Sequence, residues 1–223
     1  MSRVRTAVLI SGRGSNLKAL IEAGENPSFP APIVLVISNA AEAPGLNYAA
    51  AAGIPVKIIP HGEFERRDQF DAAVDEELRS AKTEIVCLAG FMRLLTDEFV
   101  QKWYGRLINI HPSLLPSFKG VRVHERALAA GVRISGCTVH FVTPEMDSGP
   151  PIAQAAVPVH TEDDPDTLGA RVLAAEHRLY PLALRMVAEG RVRLEGGKAV
   201  FSDCSSMDEM LINPRISRRS PLC

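Results

Sequence analysis

The sequence predicts an α/β protein with a doubly wound, Rossmann-like, mostly parallel sheet and antiparallel additions in its C-terminal part. Three observations carry this. Short β-branched apolar runs alternate with stretches of helical periodicity, the rhythm of βαβ units. The first run, Val4 to Ile10, ends in the glycine-rich Ser11-Gly12-Arg13-Gly14-Ser15-Asn16. A later run, Leu107 to Ile110, ends in His111-Pro112, as a buried parallel strand does when it delivers polar side chains at its carboxyl end, where open α/β sheets hold ligands.

In chain order, Val4 to Ile10 is the first strand, and Leu17, Leu20 and Ile21 then recur at helical spacing after the glycine-rich turn. Such a turn leaves unpaired N–H groups at a helix N-terminus, and glycine lets an anion approach them. A Gly-x-Gly turn also closes ordinary βα connections, so this motif alone leaves phosphate binding and plain chain reversal both open. Neither the full dinucleotide fingerprint nor the Gly-Lys-Ser/Thr of a P-loop is present, which favours a single phosphate over a cofactor or triphosphate. Ile33 to Ser38 is the second strand, Pro44 to Ala52 an alanine-rich helix capped by Gly53, and Val56 to Ile59 the third strand. From Phe64 to Ala81, Phe70, Val74, Leu78 and Ala81 fall at helical spacing. Arg66, Arg67, Asp68, Asp71, Asp75, Glu76 and Glu77 take the other faces, and most of them are expected in solvent.

Ile85 to Ala89 is the fourth strand. It leads into Gly90-Phe91-Met92-Arg93-Leu94-Leu95, whose apolar residues suit the wall of a flat-ring pocket and ordinary packing alike. Thr96 starts a short helix to Lys102, and Leu107 to Ile110 is the fifth strand. Arg122 to Ala130 reads as a helix ending at Gly131. Ser135 to Thr143 reads as an antiparallel strand with unlike faces, and Gln154 to Val159 as another strand. Thr161 to Pro165 begins a long helix with Leu168, Val172, Ala175, Leu179, Leu182 and Met186 on one stripe and a kink expected at Pro181. Val192 to Leu194 and Ala199 to Phe201 close as a hairpin around Glu195-Gly196-Gly197-Lys198. Residues 1–202 therefore read as one domain, a phosphate-binding half to about residue 105 and a catalytic half from 106, with 203–223 expected as a mobile tail.

The composition narrows the class. A chain of 223 residues, 46% hydrophobic, can bury a large core. A net charge of −1 gives no reason to expect a nucleic-acid or anionic-membrane surface, although Arg215 to Arg219 is locally basic, so small-molecule partners are expected. Cys87, Cys137, Cys204 and Cys223 show no Cys-x-x-Cys spacing, which argues against a disulfide framework or zinc site and fits a reducing cytoplasm. The opening apolar run is too short for a signal peptide or a membrane span.

Asn109 and His111 are two residues apart and share one face of their strand, which Pro112 then ends. With Asp147, in Asp147-Ser148-Gly149-Pro150, they supply an amide donor, an imidazole and a carboxylate. That set suits acyl transfer to an amine: Asn109 and His111 donate to the oxyanion, and Asp147 helps remove the amine proton. Taken singly, each has an ordinary reading as a loop cap, a half-buried histidine or a turn former. Ser113 lacks the Gly-x-Ser-x-Gly elbow of a serine hydrolase. His124 and His140 read as structural or supporting, and no close histidine pair suggests a metal.

From about Val4 to Leu194 the chain resembles the phosphoribosylglycinamide formyltransferases, folate-dependent enzymes of purine synthesis within the formyltransferase family. The resemblance rests on Ser11 to Asn16, Ala89-Gly90-Phe91-Met92-Arg93, Asn109 to Pro116 and Asp147 to Pro150, in the family's order. It implies transfer of the formyl group of the co-substrate 10-formyltetrahydrofolate to the amino group of glycinamide ribonucleotide, without a metal. Asn109, His111 and Asp147 match the family's catalytic triad. Gly14, Ser15 and Asn16 match the residues on the ribonucleotide phosphate, and Glu176 matches another contact to that substrate. Met92, Arg93, Leu94 and Leu95 match the folate pocket, which Asn109 also faces, and Arg67 matches a folate-side arginine, with Arg66 adjacent. Val121-Arg122-Val123-His124 and the segment after Asp203 depart from the family's pattern. The related methionyl-tRNA formyltransferases add a C-terminal domain and a basic surface, which the length and charge here do not suggest; formyltetrahydrofolate deformylases usually add an N-terminal domain, where this sequence reads almost at once as the first strand, and neither is expected. A non-catalytic nucleotide-binding module would not explain the gathering of Asn109, His111 and Asp147. A monomer or a homodimer is expected.

Overall fold

The apolar runs of the first half pair side by side, and the first, fourth and fifth are covered on both faces, which is the condition that makes parallel sheets stable, while the third run is a partly exposed edge. The computed structural model describes residues 3–202 and Asn213. Strands β1 (Thr6–Ile10), β2 (Ile33–Ser38), β3 (Val56–Ile58), β4 (Ile85–Leu88) and β5 (Leu107–His111) are parallel. Strands β6 (Ile134–Phe141) and β7 (Pro151–Pro158) extend the sheet antiparallel, giving the order β3-β2-β1-β4-β5-β6-β7. A separate hairpin joins β8 (Val192–Glu195) to β9 (Lys198–Phe201). This is the mostly parallel, Rossmann-like architecture with antiparallel additions that the sequence predicts.

Helices α1 (Ser15–Gly24), α2 (Leu46–Ala51), α3 (Arg67–Ser80), α4 (Asp97–Lys102), α5 (Val123–Ala129) and α6 (Pro165–Ala188) cover the sheet, and His61–Glu63 makes a single 3₁₀ turn. The alternation of β1 shows the layering. Val8 and Ile10 join a core with Leu17, Leu20, Leu168, Val172 and Tyr180, whereas Ala7 and Leu9 join a second core with Phe70, Val74, Leu78, Phe99 and Trp103. From β1 the chain winds outward to β3, then returns to β4 on the other side. This reversal leaves a crevice beyond the carboxyl ends of β1 and β4, the place where ligands bind in such sheets.

One expectation has exceptions and another is corrected. Asp71 and Asp75 are 3% and 8% exposed, not on a solvated face. The segment around α4 packs over that side of α3, and each carboxylate is buried because it has a donor: Thr96 N–H to Asp71 at 2.6 Å, and the Trp103 indole N–H to Asp75 at 3.0 Å. On α6, Leu182 is 51% exposed, and Ala183 and Leu184 are buried in its place. The buried stripe there runs Leu168, Val172, Glu176, Leu179, Ala183, so it passes through a carboxylate that a hydrophobic pattern skips. Helix α6 continues through Pro181 and starts on a capping box, with Thr167 N–H donating to the Asp164 side chain at 2.7 Å and Pro165 in the first turn. Among the described residues no helix is long and apolar enough to cross a membrane. The expectation for residues 203–223 falls outside the described residues, Asn213 excepted.

Candidate functional site

The carboxyl ends of β1, β4 and β5 open into a cleft of about 1280 Å³. On the β1 side, Gly14 caps α1 in the left-handed region, with φ 70°. A Cβ on Gly14 would sit 2.5 Å from the Gly45 Cα, so the turn closes only because two glycines pack backbone to backbone. Gly45 N–H also donates to the Gly12 carbonyl at 3.0 Å. The start of α1 thereby lines the cleft with N–H groups that have no partner within the helix, the arrangement that favours an anion.

Asn16 Nδ2–H donates to Glu176 Oε2 at 2.7 Å, tying the start of α1 to the middle of α6. Both side chains are buried on the cleft wall, and Asn16 Oδ1 has no hydrogen-bond partner among the described residues. Burial pushes the Glu176 carboxyl above its usual range, and the bond from Asn16 pulls it back down. Ser11 links this side to β4: its N–H donates to the Gly90 carbonyl at 3.2 Å, and its hydroxyl oxygen accepts from Met92 N–H at 2.7 Å.

The β5 end presents Asn109 and His111 on one face. In the antiparallel register Asn109 lies opposite His140. Asn109 Nδ2 is 3.2 Å from His140 Nε2, and His140 Nδ1 is 2.9 Å from the Phe141 carbonyl. A carbonyl only accepts, so His140 Nδ1 carries the proton and Nε2 accepts from the Asn109 amide. That fixes which way the amide points and leaves its second N–H free to donate. Burial pushes the His140 imidazole below the usual histidine range, opposed by its bond to Phe141 and by the nearby Asp147 carboxylate. Nothing in the linear sequence marks this pairing, because the two partners are 31 residues apart.

The His111 ring is 5% exposed; its Nε2–H donates to the Phe118 carbonyl at 3.0 Å, and Nδ1 faces Asp147 Oδ2 at 3.4 Å. The contact with Asp147 is an ion pair only when the ring carries both protons. The same Asp147 oxygen accepts from Gly120 N–H at 2.8 Å, and Asp147 Oδ1 lies 3.8 Å from His140 Nε2. Asp147 itself has φ 50°, a left-handed backbone that aims its short side chain inward. Gly149 presses the loop onto β6, where a Cβ would fall 1.7 Å from the Phe141 carbonyl oxygen. Asn109, His111 and Asp147 are thus brought together with Gly14, Ser15, Asn16 and Glu176 around one cleft.

Met92, Arg93, Leu94 and Leu95 form another wall. Met92 and Leu94 are 73% and 55% exposed, and with Val121 and Met146 they make an apolar surface open to the cleft, available to a flat ring. Arg93 Nε is buried without a hydrogen-bond partner among the described residues. Arg67 does not line the cleft: it is exposed at the first position of α3, where its charge acts on Asp71. His124 does line it, its ring against Gly169 of α6, and burial and the His111 charge both push its imidazole down. Among the described residues no group of three or more His, Cys, Asp or Glu side chains could hold a metal ion.

The sequence pattern of the formyl transferase family matches residues 4–184, and the chain belongs to that family. Within it, relatives that this chain covers almost end to end include phosphoribosylglycinamide formyltransferases. The one from Escherichia coli is 43% identical over 86% of this chain and 91% of its own length. The crystal structure of glycinamide ribonucleotide transformylase 1 from Symbiobacterium toebii superposes with a TM-score of 0.87 at 44% identity, covering 90% of this chain and 95% of that one. The trifunctional purine biosynthetic protein adenosine-3 of Bos taurus is 55% identical over 88% of this chain, which spans only 20% of that longer protein.

Proposed function

We propose that this protein transfers the formyl group of 10-formyltetrahydrofolate to the amino group of glycinamide ribonucleotide, giving formylglycinamide ribonucleotide and tetrahydrofolate. The observation that carries the reading is the convergence of Asn109, His111 and Asp147 within a cleft that also holds the glycine-rich start of α1. The relatives and solved structures named above are its second support.

In this reading the ribonucleotide phosphate meets the N–H groups of Gly14, Ser15 and Asn16, and Glu176 contacts the same substrate. Met92, Arg93, Leu94 and Leu95 flank the folate ring, and Arg67 acts on the folate side through its charge. When the amine nitrogen bonds to the formyl carbon, the carbonyl electron pair moves to oxygen. The free N–H of Asn109 donates to that oxyanion, joined by His111 Nδ1–H as it exchanges its 3.4 Å contact with Asp147 for the new acceptor. Asp147 accepts the proton from the attacking nitrogen, and the bond from the formyl carbon to folate nitrogen then breaks as that nitrogen takes up a proton. No covalent enzyme intermediate is needed. Residues 1–202 act as one catalytic domain, and a cytoplasmic location fits the free buried thiols of Cys87 and Cys137.

The test mixes purified protein with 10-formyltetrahydrofolate and, separately, glycinamide ribonucleotide, initiator methionyl-tRNA or water alone, and follows tetrahydrofolate release. Turnover only with the ribonucleotide is expected. Equal release with water or with the tRNA would replace this reading with deformylase or tRNA formylation activity.

A further inference from the structure

A second cavity, of about 270 Å³, lies on the opposite edge of the sheet, where Thr83 precedes β4 and Arg106 precedes β5. Arg79, Lys82, Lys102 and Arg106 line it with Thr83 and Trp103, and no acidic residue does. The C-terminal ends of α3 and α4 attract cations and account for Arg79 and Lys102. Those two are also paired: Asp75 lies 3.0 Å from Arg79 and 3.8 Å from Lys102, and Glu98 lies 2.9 Å from Lys102. Among the described residues Lys82 and Arg106 are the cavity's cations without an ion pair. Arg106 stands over the Trp103 ring at 4.7 Å and donates to the Lys102 carbonyl at 2.8 Å. Thr83 is 8% exposed, and its hydroxyl has no hydrogen-bond partner among the described residues.

Lys82 is placed there against the local preference of the backbone. Helices α2, α5 and α6 each end with a glycine in the left-handed region, Gly53, Gly131 and Gly190, at φ 66°, 66° and 68°. Helix α3 makes the same turn, with Lys82 N–H bonded to the Arg79 carbonyl and Thr83 N–H to the Leu78 carbonyl, both at 2.9 Å, yet the left-handed position holds a lysine at φ 51°. Where the other three turns relieve strain, this one keeps a charge.

We infer that this cavity binds a free tetrahedral oxyanion of the phosphate class, held by Lys82 and Arg106 on the edge of the sheet away from the catalytic cleft. Its small volume suits the bare ion. Trp103 is the chain's single tryptophan and lines the cavity, so its fluorescence reports on this site.

The experiment titrates the full chain with inorganic phosphate at constant ionic strength, with chloride and ribose 5-phosphate as parallel arms. A saturable change in Trp103 fluorescence with phosphate, and none with chloride or the ester, is expected. Lys82→Gly relaxes the backbone, so it keeps or raises the thermal midpoint, while apparent phosphate affinity falls by about tenfold, the effect of one charge-assisted contact. Asn16→Ala, on the cleft wall, retains the response. A linear change shared with chloride, an unaltered midpoint of the phosphate titration in Lys82→Gly, a stronger response to the ester, or loss of the response in Asn16→Ala would each overturn the inference.

Discussion

The ends of β1 and β5 face one cleft but are built from opposite materials. Beyond β1 the anion-facing groups are backbone, brought to the cleft because Gly14 and Gly45 pack so closely that a Cβ on Gly14 would sit 2.5 Å from the Gly45 Cα. Beyond β5 it is side chains, each held by a neighbour: Asn109 by His140, His111 by the Phe118 carbonyl, Asp147 by Gly120 N–H. The difference teaches where each site is fragile. The first is damaged by adding atoms, the second by removing them.

The sharpest test deletes functional atoms at β5. Asn109→Ala and His111→Ala are each expected to lower turnover by roughly two or more orders of magnitude, as loss of an oxyanion donor does. Steady-state rates near those of the unaltered protein would break the comparison at its stronger end. Asp147→Asn should lower the turnover number by a similar factor, about a hundredfold, while the apparent affinity for the ribonucleotide holds; a loss confined to affinity would make Asp147 a binding residue.

Adding one methyl group at β1 should do the reverse. Gly14→Ala is expected to raise KM for the ribonucleotide about tenfold, since a Cβ there both blocks the anion's approach and disfavours the left-handed turn. The comparison sharpens if binding of the dephosphorylated nucleoside is unchanged, and fails if both ligands weaken alike.

Away from the cleft, Asp75→Ala strands the buried Trp103 indole N–H and is expected to lower unfolding free energy by about 1–3 kcal/mol in urea, with KM values unmoved. The smallest effect concerns pH. The unfolded chain binds a proton at His140 near pH 6.5, whereas the folded protein resists it. Its contribution to stability is therefore complete above about pH 6.5 and is lost as pH falls from there through the depressed folded value. His124 and His177 act in the same direction, and the raised Glu176 carboxyl acts oppositely, favouring folding at low pH until it ionises. Urea midpoints at pH 5 and pH 7 should thus differ less in His140→Gln than in the unaltered protein; an identical difference would remove His140 from this account.

The inner parallel strands were legible because strands buried on both faces are written as unbroken apolar runs, the edge strand β3 by its place in the βαβ rhythm, and Asn109-x-His111-Pro112 because a strand's two-residue period puts both polar groups on one face. What was illegible depends on partners distant in the chain. Asp71 and Asp75 look like solvent-facing charges until Thr96 and Trp103 arrive to donate to them. His140 looks like a strand residue with no task until the β5 register sets it opposite Asn109. Glu176 interrupts an apolar stripe, and its reason, Asn16, is 160 residues away. Gly45 has no motif of its own, because the close approach that requires it is defined by Gly14.

The Asn16 to Glu176 bond also orders events in time. A nascent chain can pair its first strands and form the turn at Gly14 long before residue 176 is made, but one wall of the cleft arrives only with the last long helix. A ligand held between α1 and α6 therefore finds its full site only in the finished fold, and its presence during refolding favours that state.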